Sequence, residues 1–173
     1  MNKLLLDGKV SIVTGASAGI GYAIAELFME EGSNVVMTGR REDVLQQAAE
    51  TLNTRGYPGK AVTVAGDIAE DTMAERIFNK AIEAFGRVDI LVNNAGLGES
   101  FAIDSTTNER WDYIMGINRR GPFMMCREAV KYFLPQNEGV IINVSSINGL
   151  KPGNGLTYTT SKGALCTMTR NLA

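Results

Sequence analysis

Short apolar runs alternate with amphipathic stretches along this chain of 173 residues. The runs predict β-strands, and the stretches predict α-helices because their apolar residues recur at helical spacing. The predicted strands are Val10–Val13, Asn34–Thr38, Ala61–Ala65, Asp89–Val92 and Val140–Val144, and the predicted helices are Tyr22–Glu31, Arg41–Thr54, Glu70–Phe85, Thr106–Ile117, Asn118–Leu134 and the segment from Thr157 onward. Such alternation is typical of a parallel sheet covered by helices on both faces. We therefore predict one doubly wound α/β domain over residues 1–173.

The predicted helices differ in their stop signals. Gly86 is expected to cap the helix before the fourth strand, because glycine adopts the left-handed conformation without strain. Pro135 and Gly139 are expected to close the helix before the fifth strand. The last predicted helix ends in Arg170-Asn171-Leu172-Ala173, which offers neither glycine nor proline as a stop signal, so we expect the working protein to continue through further strands.

A glycine-rich turn joins the first strand to the first helix, with Gly15, Gly19 and Gly21 following Val10–Val13. Gly15 allows a tight turn, and a position without a Cβ lets the backbone approach a pyrophosphate. Free N–H groups and the positive end of the helix dipole then hold the phosphates. The order of strand, glycine turn and helix predicts the first half of a Rossmann-type dinucleotide-binding unit, and the alternative is a plain tight turn.

The corner after the second strand indicates which dinucleotide is bound. In a dinucleotide fold this corner meets the adenosine ribose, where an acidic side chain would repel a 2′-phosphate. Here Gly39 offers no carboxylate, and Arg40 and Arg41 follow it. Guanidinium groups form charge-assisted bonds to phosphate. The sequence favours NADP(H), with NAD(H) as the second choice, whereas the alternative interpretation is a solvated basic pair that opens a helix.

Two further strand ends carry candidate cofactor contacts. Asp67 and Ile68 are placed to bound the adenine, although Asp67 could equally be the N-cap of a helix. The fourth strand leads into Asn93-Asn94-Ala95-Gly96, where small residues would let the chain pass close to a cofactor. The amides of this segment can tie neighbouring strand ends together, and the alternative there is a polar turn.

The segment after the fifth strand carries the candidate catalytic groups. Ser145 and Ser146 follow the strand, and Tyr158 and Lys162 lie four residues apart, on one face of a helix. A phenol is a weak acid, and a neighbouring ammonium or the positive ring of an oxidised nicotinamide favours the phenolate. A serine hydroxyl can hold a reacting carbonyl oxygen in the same pocket. Ligands bind at the carboxyl ends of strands in such sheets.

Composition narrows the chemistry further. A formal net charge of −2 gives no overall positive potential that would attract nucleic acid or anionic lipid. Met1–Lys9 lacks the apolar stretch of a signal peptide, and no run is long enough for a membrane helix. The sequence has no histidine, which excludes a Ser-His-Asp triad and histidine-ligated metal sites, and we predict no metal. Cys126 and Cys166 are expected to be buried thiols in a reducing cytoplasm.

These motifs together resemble the classical short-chain dehydrogenases/reductases, with a 3-oxoacyl-thioester reductase as the nearest type. The resemblance covers the whole chain through Thr14-Gly15-x-x-x-Gly19-x-Gly21, Asn93-Asn94-Ala95-Gly96 and Tyr158-x-x-x-Lys162. It implies NAD(P)-dependent oxidation or reduction of a hydroxyl/carbonyl pair on a small molecule. The implied catalytic residues are Asn118, Ser146, Tyr158 and Lys162, and the implied cofactor contacts are Gly15, Ser17, Ala18, Gly19, Ile20, Gly21, Arg40, Arg41, Asp67, Ile68, Asn94, Ala95, Gly96, Tyr158 and Lys162.

The chain departs from the family pattern at several points. Ser146 lies one residue closer to Tyr158 than is usual, and Ser145 would restore the usual separation, but Gly149 in S-x-x-G favours Ser146. Ala18 stands where many NADP-preferring relatives carry a basic residue. Relatives are also longer, so a non-catalytic dinucleotide-binding fragment or assembly partner is the alternative function.

Relatives that form dimers or tetramers imply a homo-oligomer here as well. The implied contact uses the helices Asn118–Leu134 and Thr157–Ala173. Their apolar residues exceed what a solvated helix pair needs, and the candidates for the contact are Met124, Met125, Val130, Leu165, Met168 and Leu172. The alternative is that all of these side chains face the sheet.

Overall fold

A parallel five-stranded sheet forms the centre of the computed structural model, which describes residues 4–99, 102–151 and 155–173. The strands are β1 (Val10–Thr14), β2 (Asn34–Gly39), β3 (Ala61–Ala65), β4 (Ile90–Asn93) and β5 (Val140–Asn143). Their order is β3-β2-β1-β4-β5, with Val13 in register with both Met37 and Val92. Successive crossovers reverse direction between β1 and β4, which is where ligands bind in open sheets of this kind.

Helices cover both faces of the sheet. They are α1 (Gly19–Glu30), α2 (Glu42–Asn53), α3 (Met73–Phe85), α4 (Asn108–Met115), α5 (Gly121–Gln136) and α6 (Leu156–Leu172). One hydrophobic core lies under α1 and α2, around Met29 and Leu45, and the other lies under α3 and α5, around Phe78 and Met125. The prediction of a doubly wound α/β sheet is therefore confirmed.

Several predicted helix boundaries are wrong, each for a local reason. Helix α1 begins at Gly19 rather than Tyr22, because the last two glycines of the turn belong to its first turn. Helix α3 begins at Met73 rather than Glu70, because the preceding residues form turns in which the Glu70 N–H donates to the Asp67 carbonyl. Pro135 does not close α5, since it lies in the last turn and Asn137, in the left-handed conformation, ends the helix.

The two helices predicted to meet at Asn118 are joined by one unbroken helical path. A π-helical turn, Gly116–Arg120, connects α4 to α5, and the Gly121 N–H donates to the carbonyl of Gly116 five residues earlier. Such turns are rare, occur mostly as single bulges within α-helices, and are frequent at functional sites. The extra residue directs Asn118 into the interior, where it is fully buried.

The apolar residues proposed for an oligomer contact do not share one exposed face. Met124, Met125 and Leu165 are buried within the chain, so their assignment to a contact surface is wrong. They point inward because each helix presents its wider apolar stripe to its own core. Phe123 is instead 49% exposed on α5, and it borders a surface groove on α6 with Ala164 and Met168.

The remaining predictions concern helix ends, cysteines and membranes. Gly86 caps α3 in the left-handed conformation, as predicted. Both cysteines are free, Cys126 is buried and Cys166 is half-buried, and burial raises the pKa of the Cys126 thiol to about 11. In the part of the chain that the structure describes, no helix has the length and apolar character needed to cross a membrane. The first three residues of Met1–Lys9 lie outside that part.

Candidate functional site

A cavity of about 450 Å³ opens at the carboxyl ends of β1, β2, β3 and β4. Its walls combine backbone of glycine positions, two arginines and apolar side chains, and the lining residues are Gly15, Ser17, Thr38, Gly39, Arg40, Arg41, Gly66, Asp67, Ile68, Ala95, Gly96, Leu97 and Ile117. The other sequence-predicted cofactor residues do not line it, namely Ala18, Gly19, Ile20, Gly21, Asn94, Tyr158 and Lys162. Ala18, Gly19 and Ile20 lie exposed at the start of α1.

The glycine turn is packed tightly against the end of β4. Gly15 has a φ of +66°, and a Cβ there would lie 2.9 Å from the Ala95 Cα. A Cβ on Gly21 would overlap the carbonyl oxygen of Gly15. Asn94 Nδ2 donates to the carbonyls of Thr14, at 2.9 Å, and Gly15, at 3.2 Å. The amide therefore ties the ends of β1 and β4 together, as predicted from the sequence.

Arg40 and Arg41 follow β2 and form an arginine corner at the mouth of the cavity. Arg40 and Arg41 are both exposed, and Arg41 is the N-cap of α2, whose first turn carries Glu42 and Asp43. Arg40 Nη1 donates to the hydroxyl of Tyr113 on α4. Sequence reasoning missed Tyr113, because a contact between two elements separated by 73 residues leaves no local signal.

Asp67 and Ile68 form the wall of the cavity beyond β3. Asp67 Oδ1 accepts a hydrogen bond from the Ala69 N–H at 2.9 Å, so its side chain caps a turn while the residue lines the cavity. Ile68 is buried, and a Cβ on Gly121 would lie 3.0 Å from its Cγ2. The alternative of a helix N-cap at Asp67 is wrong, because turns intervene before α3 and the N-cap of that helix is Thr72. The adenine contact stays a prediction, and capping a turn leaves Asp67 on the cavity wall.

Tyr158 and Lys162 lie one turn apart on α6. Tyr158 is half-buried, and Lys162 Nζ lies 5.9 Å from the centroid of its ring. Lys162 is only 5% exposed, and its Nζ donates to the Val144 carbonyl at 2.8 Å. Burial lowers the pKa of this ammonium because it removes the charge from water. A buried cation thus lies beside a phenol that solvent can reach.

Asn118 connects this pair to the loop after β4. Its amide pairs with the backbone of Leu97 through two bonds of 2.8 Å, and Nδ2 also donates to Ser161 Oγ at 3.0 Å. Ser161 Oγ in turn donates to the Tyr158 carbonyl at 2.7 Å. Sequence reasoning missed Ser161, for which the sequence offers no signal except its position beside Lys162.

Gly96 separates Asn118 from Lys162. A Cβ at Gly96 would lie 3.3 Å from Asn118 Oδ1 and 3.4 Å from Lys162 Nζ, so both polar atoms border the same small space. The glycine keeps a side chain out of that space. An acceptor and a cationic donor therefore border one space that the missing side chain leaves open.

The two candidate serines have different surroundings. Ser145 Oγ donates to the Lys162 carbonyl at 2.9 Å and lies 3.2 Å from Cys166 Sγ, so it is bound to α6. Ser146 Oγ accepts only a 3.2 Å bond from the Asn148 N–H, at the start of the short 3₁₀ turn Ile147–Gly149. Among the described residues, the hydrogen of the Ser146 hydroxyl has no protein acceptor.

Known proteins are similar to this chain in sequence and in fold. A NADP-dependent (R)-specific alcohol dehydrogenase of Lentilactobacillus kefiri is 39% identical over 170 residues, 97% of this chain and 66% of that protein. A 3-oxoacyl-[acyl-carrier-protein] reductase of Thermotoga maritima is 33% identical over 171 residues, 97% of this chain and 68% of the relative. The crystal structure of L-sorbose reductase from Gluconobacter frateurii with NADPH and L-sorbose superposes on this chain with a TM-score of 0.93 at 32% identity. The superposition covers 98% of this chain and 65% of the reductase chain.

The matched length distinguishes the chain from these relatives. The chain spans about two thirds of the length of the curated relatives it matches, from 65% to 70% of each. The short chain dehydrogenase family, by contrast, matches residues 9–173, which include the glycine turn, Asn118 and the Tyr158/Lys162 pair. With sequence motifs, strand order and matched range in agreement, the chain belongs to the short chain dehydrogenase family.

Proposed function

We propose that the protein is an NADP(H)-dependent oxidoreductase that interconverts a carbonyl group and a secondary alcohol, with Tyr158 as the acid/base. The observation that carries the proposal is the buried Lys162 ammonium beside the half-buried Tyr158 phenol. As Tyr158 gives up its proton, the nearby ammonium stabilises the negative charge that develops on the phenol oxygen.

The cavity fits the adenosine half of a dinucleotide. Its volume lies within the range of about 300–1,000 Å³ that is usual for ligand pockets. Gly15 brings the backbone close to the place of a pyrophosphate, and the start of α1 provides N–H donors. Arg40 and Arg41 would meet a 2′-phosphate. The similar Lentilactobacillus alcohol dehydrogenase is NADP-dependent, and the Gluconobacter reductase was crystallised with NADPH. When bound, the nicotinamide ring supplies or accepts the hydride.

Side chains of the protein supply the proton that the carbonyl oxygen takes up. In the reducing direction Tyr158 donates its proton to the carbonyl oxygen, and the Lys162 ammonium stabilises the phenolate that remains. The Ser146 hydroxyl donates a hydrogen bond to the same oxygen and fixes its position. Asn118 Oδ1 and Lys162 Nζ border a common space, through which a water molecule would return a proton from solvent.

The proposed compartment is a reducing cytoplasm. Both thiols are free, and the Cys126 thiol is buried against the amide of Asn93. Proteins of oxidising compartments often carry disulfides, whereas this chain gains its stability from two apolar cores.

Replacing Arg40 with alanine is expected to weaken NADPH binding about tenfold, because a charge-assisted hydrogen bond contributes about 1.5–3 kcal/mol and exposure reduces that contribution. The NADH dissociation constant should stay within about twofold, since a 2′-hydroxyl gains little from a guanidinium. Fluorescence titration of the complete protein with both reduced cofactors measures the ratio.

Arg55→Ala provides the matched control for this substitution. Arg55 is also an exposed arginine, but it pairs with Glu26 and does not line the cavity. Its loss should leave both dissociation constants within about twofold. Equal affinities of the unmodified protein for NADPH and NADH would refute the cofactor preference.

We propose further that two copies associate through α5 and α6. Phe123 is exposed beside a mostly apolar groove of about 460 Å³ on this helix pair, and the groove is also lined by Ala164, Met168, Arg119 and Arg120. Phe123→Glu places a charge beside that groove, so the sedimenting mass of the complete protein at micromolar concentration should fall to that of a monomer. Leu27→Glu, at an exposed apolar position on α1, is the control and should leave the mass unchanged. A monomeric unmodified protein would contradict the proposal.

A further inference from the structure

Tyr113 forms a bridge between α4 and the arginine corner. Its hydroxyl accepts the hydrogen bond from Arg40 Nη1, although Tyr113 itself does not line the cavity. Arg40 does line the cavity at its mouth. The bridge therefore connects a cavity residue to α4, a helix none of whose residues lines the cavity.

The ring of Tyr113 is itself held in place. The Arg110 guanidinium lies over it, with its Cζ 5.4 Å from the ring centroid. Arg110 forms an ion pair with Glu99 in the loop after β4. Tyr113 is 38% exposed, and the cation–π contact and the ion pair together restrain its ring. The hydroxyl thus presents a fixed acceptor to Arg40.

We propose that Tyr113 is a positioning residue for NADP(H) selectivity, which it confers by orienting the Arg40 guanidinium toward the 2′-phosphate; this inference rests on the cofactor preference proposed above. An exposed arginine samples many rotamers, and binding an anion must then restrict them. A guanidinium has five N–H donors, so one bond to Tyr113 leaves four for the phosphate. Fixing Arg40 beforehand lowers the entropic penalty of binding for a 2′-phosphorylated cofactor only.

Tyr113→Phe tests the hydroxyl, because it keeps the ring under Arg110 and removes only the acceptor. We expect the NADPH dissociation constant of the complete protein to rise about three- to fivefold, the effect of a lost hydrogen bond of about average strength. The NADH dissociation constant should stay within twofold. The probes 2′,5′-ADP and 5′-AMP should show the same contrast without a contribution from the nicotinamide.

A double-mutant cycle separates positioning from direct contact or general destabilisation. Once Arg40→Ala has removed the guanidinium, Tyr113→Phe should cause no further loss of NADPH affinity. Tyr57→Phe is the control, because it removes another tyrosine hydroxyl, which donates to Glu26 near Arg55 and away from the cavity.

The possible failures point to different causes. An equal loss of NADPH and NADH affinity in Tyr113→Phe, or an unchanged NADPH affinity, would overturn the role of Tyr113 and leave the cofactor preference intact. An additive loss in the double variant would also overturn it, because the hydroxyl would then act without Arg40. If the unmodified protein binds both cofactors equally, the cofactor preference fails, and this inference fails with it.

Discussion

Tyr158→Phe is expected to reduce turnover by about 10²- to 10⁴-fold, the usual contribution of a positioned general acid, while NADPH binding changes by less than about twofold. The substitution removes the phenol hydroxyl, and with it the transferable proton. The ring keeps its place one turn from Lys162, whose Nζ lies 5.9 Å from the ring centroid. The measurement is steady-state turnover of the complete protein on a carbonyl substrate, combined with direct titration of the cofactor.

Tyr132→Phe is the matched control for this experiment. Tyr132 stacks on Phe78 with ring centroids 5.3 Å apart, in the core between α3 and α5. Its substitution should leave turnover within about threefold, so a large loss there would indicate a general effect of removing a phenol. Turnover within tenfold of the unmodified rate in Tyr158→Phe would show that Tyr158 is not the acid.

Ser146→Ala is expected to reduce turnover at least about a hundredfold, whereas Ser145→Ala should reduce it less than about fivefold. Removing one hydrogen-bond donor that stabilises a reacting oxygen typically costs about 10²- to 10³-fold in rate. Ser145 Oγ already donates to the Lys162 carbonyl, so its hydrogen is not available to a substrate. Ser146 Oγ accepts from Asn148 and keeps its own hydrogen for a carbonyl oxygen.

The two serine variants are each other's control, because they remove the same group from adjacent residues. Both should be compared in turnover and in thermal melting. Ser145→Ala should lower the melting temperature slightly, since it breaks a bond between the end of β5 and α6. A larger rate loss in Ser145→Ala than in Ser146→Ala would transfer the proposed role to Ser145.

The sheet and the position of the site were predictable because their signals are local. Consecutive apolar residues such as Ile90, Leu91 and Val92 indicate burial on both faces of a sheet, and the glycine turn indicates a close backbone approach. Parallel strands bring their carboxyl ends to one edge, so residues after β1, β2, β3 and β4 were expected to meet. The cavity lined by Gly15, Arg40 and Asp67 lies at that edge.

The details that sequence reasoning missed depend on contacts between distant elements. Tyr113 reaches Arg40 across 73 residues, and no spacing rule encodes such a pair. The burial of Met124 and Leu165 depends on which side of each helix faces the core, and apolar character alone does not specify that side. The boundary of α3 is set by turn bonds around Asp67, which compete with a helix that periodicity would begin earlier.

The π-helical turn makes chain length itself part of the site. Between Gly116 and Gly121 the backbone accommodates one residue more than an α-helix would for the same hydrogen bond. Each α-helical residue turns the path by about 100°, so a segment shorter by one residue would remain a good helix while facing Asn118 away from Leu97 and Ser161. Along this stretch the number of residues is therefore as strict a requirement for the proposed role of Asn118 as their identity.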